Sequence, residues 1–167
     1  MKHKRIFIVG HSGAGKGVLA DALAKKLNWK MIDADFALAP SIGRDINDVI
    51  GKQGEEQFQQ CLTAILEHQL SQDNIIVTTD DSIVCSEQNR QLLSNEFTIH
   101  LKVSTPVQLE RLSHNRPLLP VADYSSFLNK LHHERDALYD KVASFSISSD
   151  DGNIDAHVAR IIEAMQK

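Results

Sequence analysis

Short apolar runs alternate along the chain with segments whose apolar residues recur at helical spacing. The runs predict five β-strands, at residues 5–9, 30–32, 75–79, 98–103 and 145–147. Strands that alternate with helices form a parallel sheet covered on both faces, so the pattern predicts an α/β fold in three layers. Ligands of such sheets bind at the carboxyl ends of the strands, and functional residues are expected there.

The intervals between the strands carry helical periodicity. Apolar residues recur every three or four positions within residues 19–27, 58–66, 127–138 and 154–165. Thr105 and Pro106 predict the N-cap and the first helical position of another helix. The chain has no internal repeat and no linker rich in proline, glycine or serine, so a single domain is expected over residues 1–167.

The first predicted strand leads into a glycine-rich loop, Gly10-His11-Ser12-Gly13-Ala14-Gly15-Lys16. Two glycines separated by four residues and followed by lysine, between a strand and a helix, are typical of a phosphate-binding P-loop. Its backbone N–H groups and the positive end of the next helix bind phosphate, and Lys16 supplies a mobile cation for the β- and γ-phosphates. The predicted ATP-binding residues here are Gly10, Ser12, Gly13, Ala14, Gly15, Lys16, Gly17 and Val18.

Gly17 stands where a P-loop usually has serine or threonine, so the hydroxyl that contacts Mg²⁺ is missing. Val18 does not replace it. Mg²⁺ keeps several waters and needs few protein ligands, so a carboxylate could hold it alone. Asp80 directly follows the third predicted strand, as the metal-binding aspartate of a Walker B motif does. It is therefore a candidate Mg²⁺ ligand, and a turn carboxylate at the strand end is the alternative.

From composition and charge, neither a nucleic-acid partner nor a membrane partner is expected. Of its 167 residues 42% are hydrophobic and 24% charged, and the net charge of −4 comes without a Lys/Arg tract, so no nucleic-acid partner is expected. The apolar run behind the basic N-terminus is too short for a signal peptide or a membrane span, which favours a cytoplasmic location and no membrane partner. Without an extended apolar face, a monomer or a weak dimer is expected.

Cysteine and histidine spacing indicates no metal site. Cys61 and Cys85 match no metal motif, and both are expected to be buried, reduced thiols. His132 and His133 are adjacent in a predicted helix without ligand partners at metal spacing. At least one of these histidines is expected to be solvent-exposed.

Five segments, in their order and spacing, make the chain resemble the shikimate kinase family. They are Asp33-Ala34-Asp35, Gly43-Arg44-Asp45-Ile46, Gly54-Glu55-Glu56-Gln57-Phe58, Arg116-Pro117-Leu118-Leu119, and Arg135 followed by Leu138-Tyr139. The resemblance covers nearly the whole chain. It implies a P-loop kinase fold with a five-stranded parallel sheet and a helical lid at about residues 113–123. It also implies ATP with Mg²⁺ and a small-molecule acceptor.

The resemblance assigns roles to three residues on the acceptor side. Asp33 would reach Mg²⁺ through water, and Asp35 would orient the attacking hydroxyl or accept its proton. Arg135 would pair with a substrate carboxylate, for which a guanidinium fork is well shaped. The alternatives are that either aspartate caps the next turn and that Arg135 forms an ordinary surface ion pair.

On the nucleotide side, the resemblance implies that Arg116 closes over the phosphates and neutralises charge in the transition state. The predicted catalytic residues are then Lys16, Asp35 and Arg116. Arg111 would lie flat against the adenine ring, and Asn153 would border the base. A surface ion pair is again the alternative for Arg116.

The departures from the family pattern fall mainly in the acceptor pocket. Gln59 replaces an arginine after Phe58, and Asp80-Asp81-Ser82 replaces three glycines after the third strand. Losing one buried charge-assisted contact costs about 2–5 kcal/mol, and nearby aspartates repel an anionic acid, so an acceptor other than shikimate is expected. The predicted substrate-binding residues are Asp35, Gln59, Asp80, Asp81 and Arg135.

Three hypotheses about function stay open from the sequence. The first is a small-molecule kinase whose acceptor is neutral or cationic. The second is an authentic shikimate kinase that tolerates the substitutions. The third is a nucleotide-binding protein that has lost phosphoryl transfer, which Gly17, Gln59 and Asp80 together favour.

Overall fold

The structure, a computed structural model, describes residues 3–35, 46–113 and 121–167, with the backbone alone for 46–50, 113 and 121–124. In these ranges strands alternate with helices as the sequence predicts. The elements are β1 Arg5–Val9, α1 Lys16–Leu27, β2 Lys30–Ala34, α2 Ile46–Gln69, β3 Ile75–Thr79, α3 Glu87–Ser94, β4 Phe97–Lys102, α4 Thr105–Ser113, α5 Val121–Val142, β5 Phe145–Ser148 and α6 Ile154–Met165. A short 3₁₀ helix, Ile83–Cys85, follows β3. The helical path of α2 is interrupted at Gly51, whose φ of 77° is left-handed.

The described strands form one parallel sheet in the order β2-β3-β1-β4-β5. The central strand β1 pairs with β3 and β4, so that Ile6 lies opposite both Ile76 and Phe97. A parallel sheet is covered on both faces, which explains why β1 and β3 are nearly continuous apolar runs. The expected α/β fold with a five-stranded parallel sheet is confirmed.

Two apolar clusters lie on opposite faces of the sheet. Ile6 and Ile8 belong to the cluster that also contains residues of α1 and α6. Phe7 and Val9 belong to the cluster that contains residues of α2, α3 and α5. Because successive side chains of a strand point to opposite faces, β1 alone links both layers of helices. The expected three-layer arrangement is therefore confirmed.

Two predictions about individual residues are wrong. The N-cap of α4 is Ser104 and not Thr105, since the Ser104 hydroxyl accepts from the backbone N of Val107 (3.4 Å) and its carbonyl accepts from that of Gln108. Cys61 and Cys85 are free thiols as expected, but both are exposed. Cys61 is exposed because it lies outside the buried stripe of α2. Cys85 is exposed because it lies at the end of the 3₁₀ helix.

Among the described helices, none combines the length and the apolar character needed to cross a lipid bilayer.

Candidate active site

The glycine-rich loop after β1 has the backbone geometry that phosphate binding requires. A Cβ atom on Gly10 would lie 2.5 Å from the carbonyl oxygen of Leu101, so only glycine fits there. Gly15, immediately before α1, has a φ of 94°. Among the described residues, α1 has neither a side-chain cap nor an acidic residue in its first turn. Its N-terminal N–H groups and positive dipole end therefore remain available to an anion.

Lys16 is held at the centre of this loop. It is buried, and its Nζ atom donates to the carbonyl oxygens of Gly10 (2.7 Å) and His11 (3.1 Å). The same Nζ atom lies 3.3 Å from Oδ2 of Asp35, at the end of β2. The ammonium group thus lies between the phosphate loop and an aspartate of the acceptor side, which are the two groups that phosphoryl transfer must bring together.

A cavity of about 270 Å³ adjoins the loop, and its lining suits a nucleotide base. Its lining includes Val18, Leu19, Leu101, Arg111, Gly152 and Ile154. Apolar side chains with one guanidinium suit the flat face of a purine. Leu101 and Ile154 did not emerge from the sequence as site residues, because an apolar residue in a strand or helix reads as core.

Arg111 and Asn153 have different places in this region. The guanidinium of Arg111 lines the cavity and donates to the carbonyl oxygens of Gly13 (3.0 Å) and Ser149 (2.7 Å). It therefore links the P-loop to the turn before α6. Asn153 is the exposed N-cap of α6, and its side chain accepts from the backbone N of Ala156. The neighbouring Gly152, rather than Asn153, lies among the cavity residues.

Acidic side chains gather at the carboxyl ends of β2 and β3. Oxygen atoms of Asp35, Asp80 and Asp81 lie within 4.8 Å of one another. Asp33 is outside this group, and its Oδ1 atom accepts from the Thr78 hydroxyl (2.7 Å) and the Asp35 backbone N (3.1 Å). Burial raises the pKa of Asp35, although the Lys16 ammonium opposes the shift. Hard carboxylate oxygens at this spacing are ligands that fit Mg²⁺.

Arg135 on α5 is paired inside the protein. Its Nη1 atom lies 2.8 Å from Oδ2 of Asp81, and the two residues are only 7% and 2% exposed. The Tyr139 hydroxyl donates to the Asp81 carbonyl oxygen, which fixes the same turn to α5. Burial and the nearby Asp80 carboxylate raise the pKa of Asp81 to about 6, and Arg135 opposes the shift because it stabilises the ionised form. The predicted carboxylate-binding arginine therefore already has a counter-charge.

Gln59 on α2 reaches the same turn after β3. Its Nε2 atom donates to the backbone oxygen (3.1 Å) and the hydroxyl (3.3 Å) of Ser82, and the Ser82 hydroxyl in turn bonds to Asp80 Oδ2 (2.6 Å). The Gln59 Oε1 atom is buried without a hydrogen-bond partner in the described part of the chain. Gln59, Asp80 and Asp81 thus belong to one polar cluster, and their predicted contact with the acceptor stays a prediction.

The histidine pair on α5 corrects a sequence prediction. His133 is exposed as expected, but His132 does have ligand-type partners. Its Nδ1 atom lies 2.9 Å from Oδ2 of Asp136, and Nε2 of the P-loop residue His11 lies 2.5 Å from Oδ1 of the same carboxylate. The contact of His132 with Asp136 could have been predicted from their i,i+4 spacing on a helix. No feature of the sequence predicted that His11, far away in the chain, joins them.

The sequence model of the shikimate kinase family matches residues 12–166. The chain belongs to the shikimate kinase family. The shikimate kinase of Legionella pneumophila (strain Corby) is 32% identical over 166 residues, 98% of this chain and 95% of that protein. The shikimate kinase of Xanthomonas oryzae pv. oryzae (strain PXO99A) is 35% identical over 148 residues, 87% and 82%.

A solved structure of this family agrees with the fold. Shikimate kinase from Acinetobacter baumannii in complex with shikimate has a TM-score of 0.80 and 27% identity, covering 99% of this chain and 94% of that one. Membership of the shikimate kinase family makes the chain a P-loop kinase. Arg116, the Gly43-Arg44-Asp45 segment and most of the predicted lid at residues 113–123 lie outside the described residues.

The missing hydroxyl at position 17 can be restored without a clash. A Cβ atom on Gly17 would meet nothing within 4 Å. Gly17→Ser is therefore expected to strengthen the Mg²⁺ dependence of ATP binding by about fivefold, equivalent to roughly 1 kcal/mol from one added oxygen ligand. The measurement is the ratio of the ATP dissociation constants without and with Mg²⁺, by calorimetry. Gly17→Ala adds the same carbon without the oxygen, and an equal gain in that control would contradict a metal contact.

Proposed function

We propose that this member of the family transfers the γ-phosphoryl group of ATP to a hydroxyl of a small acceptor that carries no carboxylate. The observation that carries the proposal is the buried pair of Arg135 and Asp81. An arginine that would bind an acceptor carboxylate is already neutralised by a residue of this chain. A carboxylate ligand would either displace Asp81 and leave a buried charge unpaired, or approach Arg135 Nε and bring a second negative charge beside Asp81.

On the nucleotide side, the P-loop, the uncapped N-terminus of α1 and Lys16 support binding of a triphosphate. The residue that would hold Mg²⁺ is Asp80, whose carboxylate follows β3 and lies within 4.8 Å of the carboxylates of Asp35 and Asp81. When bound, Mg²⁺ neutralises charge on the transferred group. Asp33 reaches this region through Thr78 and the Asp35 backbone.

On the acceptor side, the unpaired polar atoms favour a ligand that donates hydrogen bonds. Asp35 Oδ1 and Gln59 Oε1 are buried acceptors without hydrogen-bond partners among the described residues. Arg135 Nε is a buried donor that likewise has no partner there. A ligand rich in hydroxyl groups, or one with an ammonium group, satisfies such acceptors, whereas a carboxylate cannot. A cyclic or linear polyol or an amino alcohol is the chemical class that fits.

Three residues of the chain would divide the catalytic work. Asp35 would orient the attacking hydroxyl and accept its proton, a role for which its raised pKa is suited. Lys16, 3.3 Å away, would stabilise negative charge on the phosphoryl oxygens. Arg116 is proposed as the cation that closes over the phosphates.

The test is an acceptor panel. Purified protein with ATP and Mg²⁺ is expected to release ADP in the presence of at least one carboxylate-free polyol, cyclitol or amino alcohol. Its kcat/KM for that acceptor should exceed that for shikimate more than tenfold, since one lost charge-assisted contact costs about 2–5 kcal/mol. Shikimate as the best acceptor, or no turnover with any of the panel, would overturn the proposal.

A second candidate is shikimate phosphorylation itself, favoured by relatives at 32% and 35% identity that are shikimate kinases. The double variant Gln59→Arg/Asp81→Gly separates the two candidates. If the acceptor lacks a carboxylate, this variant gains activity on shikimate and loses it on the preferred acceptor. If the wild-type protein is a shikimate kinase adapted to its own pocket, the variant gains nothing on shikimate.

A further inference from the structure

A cluster of three side chains joins the P-loop to α5 and has no part in the proposed transfer. The potential ligand atoms of His11, His132 and Asp136 all lie within 4.8 Å of one another. Both oxygens of Asp136 are engaged, one by each histidine, at 2.5 and 2.9 Å. The geometry points to a transition-metal site of the zinc type, with His11 Nε2, His132 Nδ1 and the Asp136 carboxylate as its three protein ligands.

The orientation of His132 is fixed from outside the cluster. Gln108 donates its Nε2–H to the Ser12 carbonyl oxygen (2.7 Å), so its Oε1 atom faces His132 Nε2 (2.8 Å) and must accept from it. With a proton held on Nε2, Nδ1 of a neutral His132 turns its lone pair toward the Asp136 carboxylate. A proton on Nδ1 would relieve this contact at the observed distance of 2.9 Å, and a metal ion would take the place of that proton once the ligand atoms move apart to bonds of about 2.0 Å. Supporting hydrogen bonds of this kind are typical of metal-binding histidines.

His11 is buried against His132, with its Nε2 atom facing the Asp136 carboxylate. Its ring is 2% exposed and stacks on His132 with 3.9 Å between the ring centres. Its Nδ1 atom is buried without a hydrogen-bond partner in the described residues. This histidine therefore lacks the outer support that His132 has, and a weaker affinity than in closed four-ligand zinc sites is expected.

The site leaves room for a fourth ligand and for entry of the ion. The Asp136 side chain is 47% exposed, and a cavity of about 290 Å³ is lined by His11, Asp136, His100 and Asp140. Two nitrogens, one carboxylate and an open position accessible to water match the ligand set of zinc better than that of Mg²⁺, which prefers oxygens. A bound ion would join the P-loop, which holds the nucleotide, to the helix that carries Arg135.

The test is a titration of the chelator-treated full-length protein with Co²⁺, followed by its visible d–d absorption, with Zn²⁺ as competitor. We expect a saturable four-coordinate spectrum that Zn²⁺ removes. The spectrum should disappear in His132→Gln and Asp136→Asn. Gln108→Leu, which removes the outer hydrogen bond to His132 together with the bond to the Ser12 carbonyl, should weaken Co²⁺ binding about 10- to 100-fold.

His133→Gln is the matched control, because His133 is the exposed neighbour of His132 on the same helix. It should bind Co²⁺ as the wild type does. Circular dichroism of each variant establishes that it is folded. Loss of the Co²⁺ absorption in a folded variant then means that a metal ligand has been removed. No saturable spectrum in the wild type, or an unchanged spectrum in folded His132→Gln and Asp136→Asn, would overturn the site.

Discussion

Replacing Arg135 with methionine is expected to lower the free energy of unfolding by about 3–5 kcal/mol at neutral pH. Methionine keeps most of the side-chain volume but leaves the Asp81 carboxylate buried beside Asp80 without a cation. Removing one member of a buried ion pair costs far more than the pair contributes, because the remaining charge stays desolvated. Urea denaturation at several pH values measures the effect.

The loss of stability in Arg135→Met should shrink as the pH falls. The pKa of Asp81 is raised to about 6 while Arg135 is present, and removal of the cation raises it further. Below that folded-state pKa the folded protein takes up a proton, whereas the unfolded chain does so only near pH ~4. Because wild-type Asp81 itself takes up this proton near pH 6, the stability difference between variant and wild type is expected to shrink as the pH falls from neutral toward about 6 and to stay constant below it.

Two controls identify the buried charge as the cause. Arg135→Met/Asp81→Asn removes both charges and should recover most of the stability, as neutral replacement of a whole buried pair does. Lys25→Met breaks the exposed pair with Asp21, whose side chains are 78% and 57% exposed, and should change stability by less than about 1 kcal/mol. If Arg135→Met behaves like Lys25→Met, Arg135 is solvated and the acceptor proposal loses its main support.

The fold was predictable from the sequence because its signals are local. Runs such as Ile6–Val9 and the glycine spacing of the P-loop specify strand, turn and helix over a few consecutive residues. Alternation of these elements then limits the topology to a parallel sheet with its ligands at one edge. The N-cap of α4 was misplaced by one residue because serine and threonine compete for that position at Ser104 and Thr105.

The sequence predicts members of the candidate site but not which side chains pair with one another. Arg135 and Asp81 were both expected near the acceptor, yet their pairing joins positions 54 residues apart. The bond between His11 and Asp136 spans 125 residues. Which side chains meet across such separations is decided by the packing of α5 on the sheet, and no spacing rule along the chain contains that information.

Lys16→Met is expected to reduce kcat/KM for the best acceptor by roughly 10²–10³-fold, the usual effect of losing one preorganised charge on a reacting oxygen. Nζ of Lys16 lies at the junction of the P-loop carbonyls and Asp35, where the two substrates of the proposed transfer would meet. A coupled assay of ADP release measures the effect. ATP binding should weaken much less than turnover, because the backbone N–H groups of the loop and the end of α1 remain in place.

Lys25→Met is the matched control for this loss as well, since Lys25 lies on the same helix with its side chain 78% exposed. Its turnover should equal that of the wild type. Equal turnover in Lys16→Met would contradict the assignment of Lys16 as a catalytic residue. If wild type and Lys16→Met both release no ADP with any acceptor while the wild type still binds ATP, the third hypothesis is favoured, in which a family member keeps its phosphate loop and has lost transfer. Because Gly17 removes only the metal-contacting hydroxyl and leaves Lys16 in place, we expect turnover in the wild type.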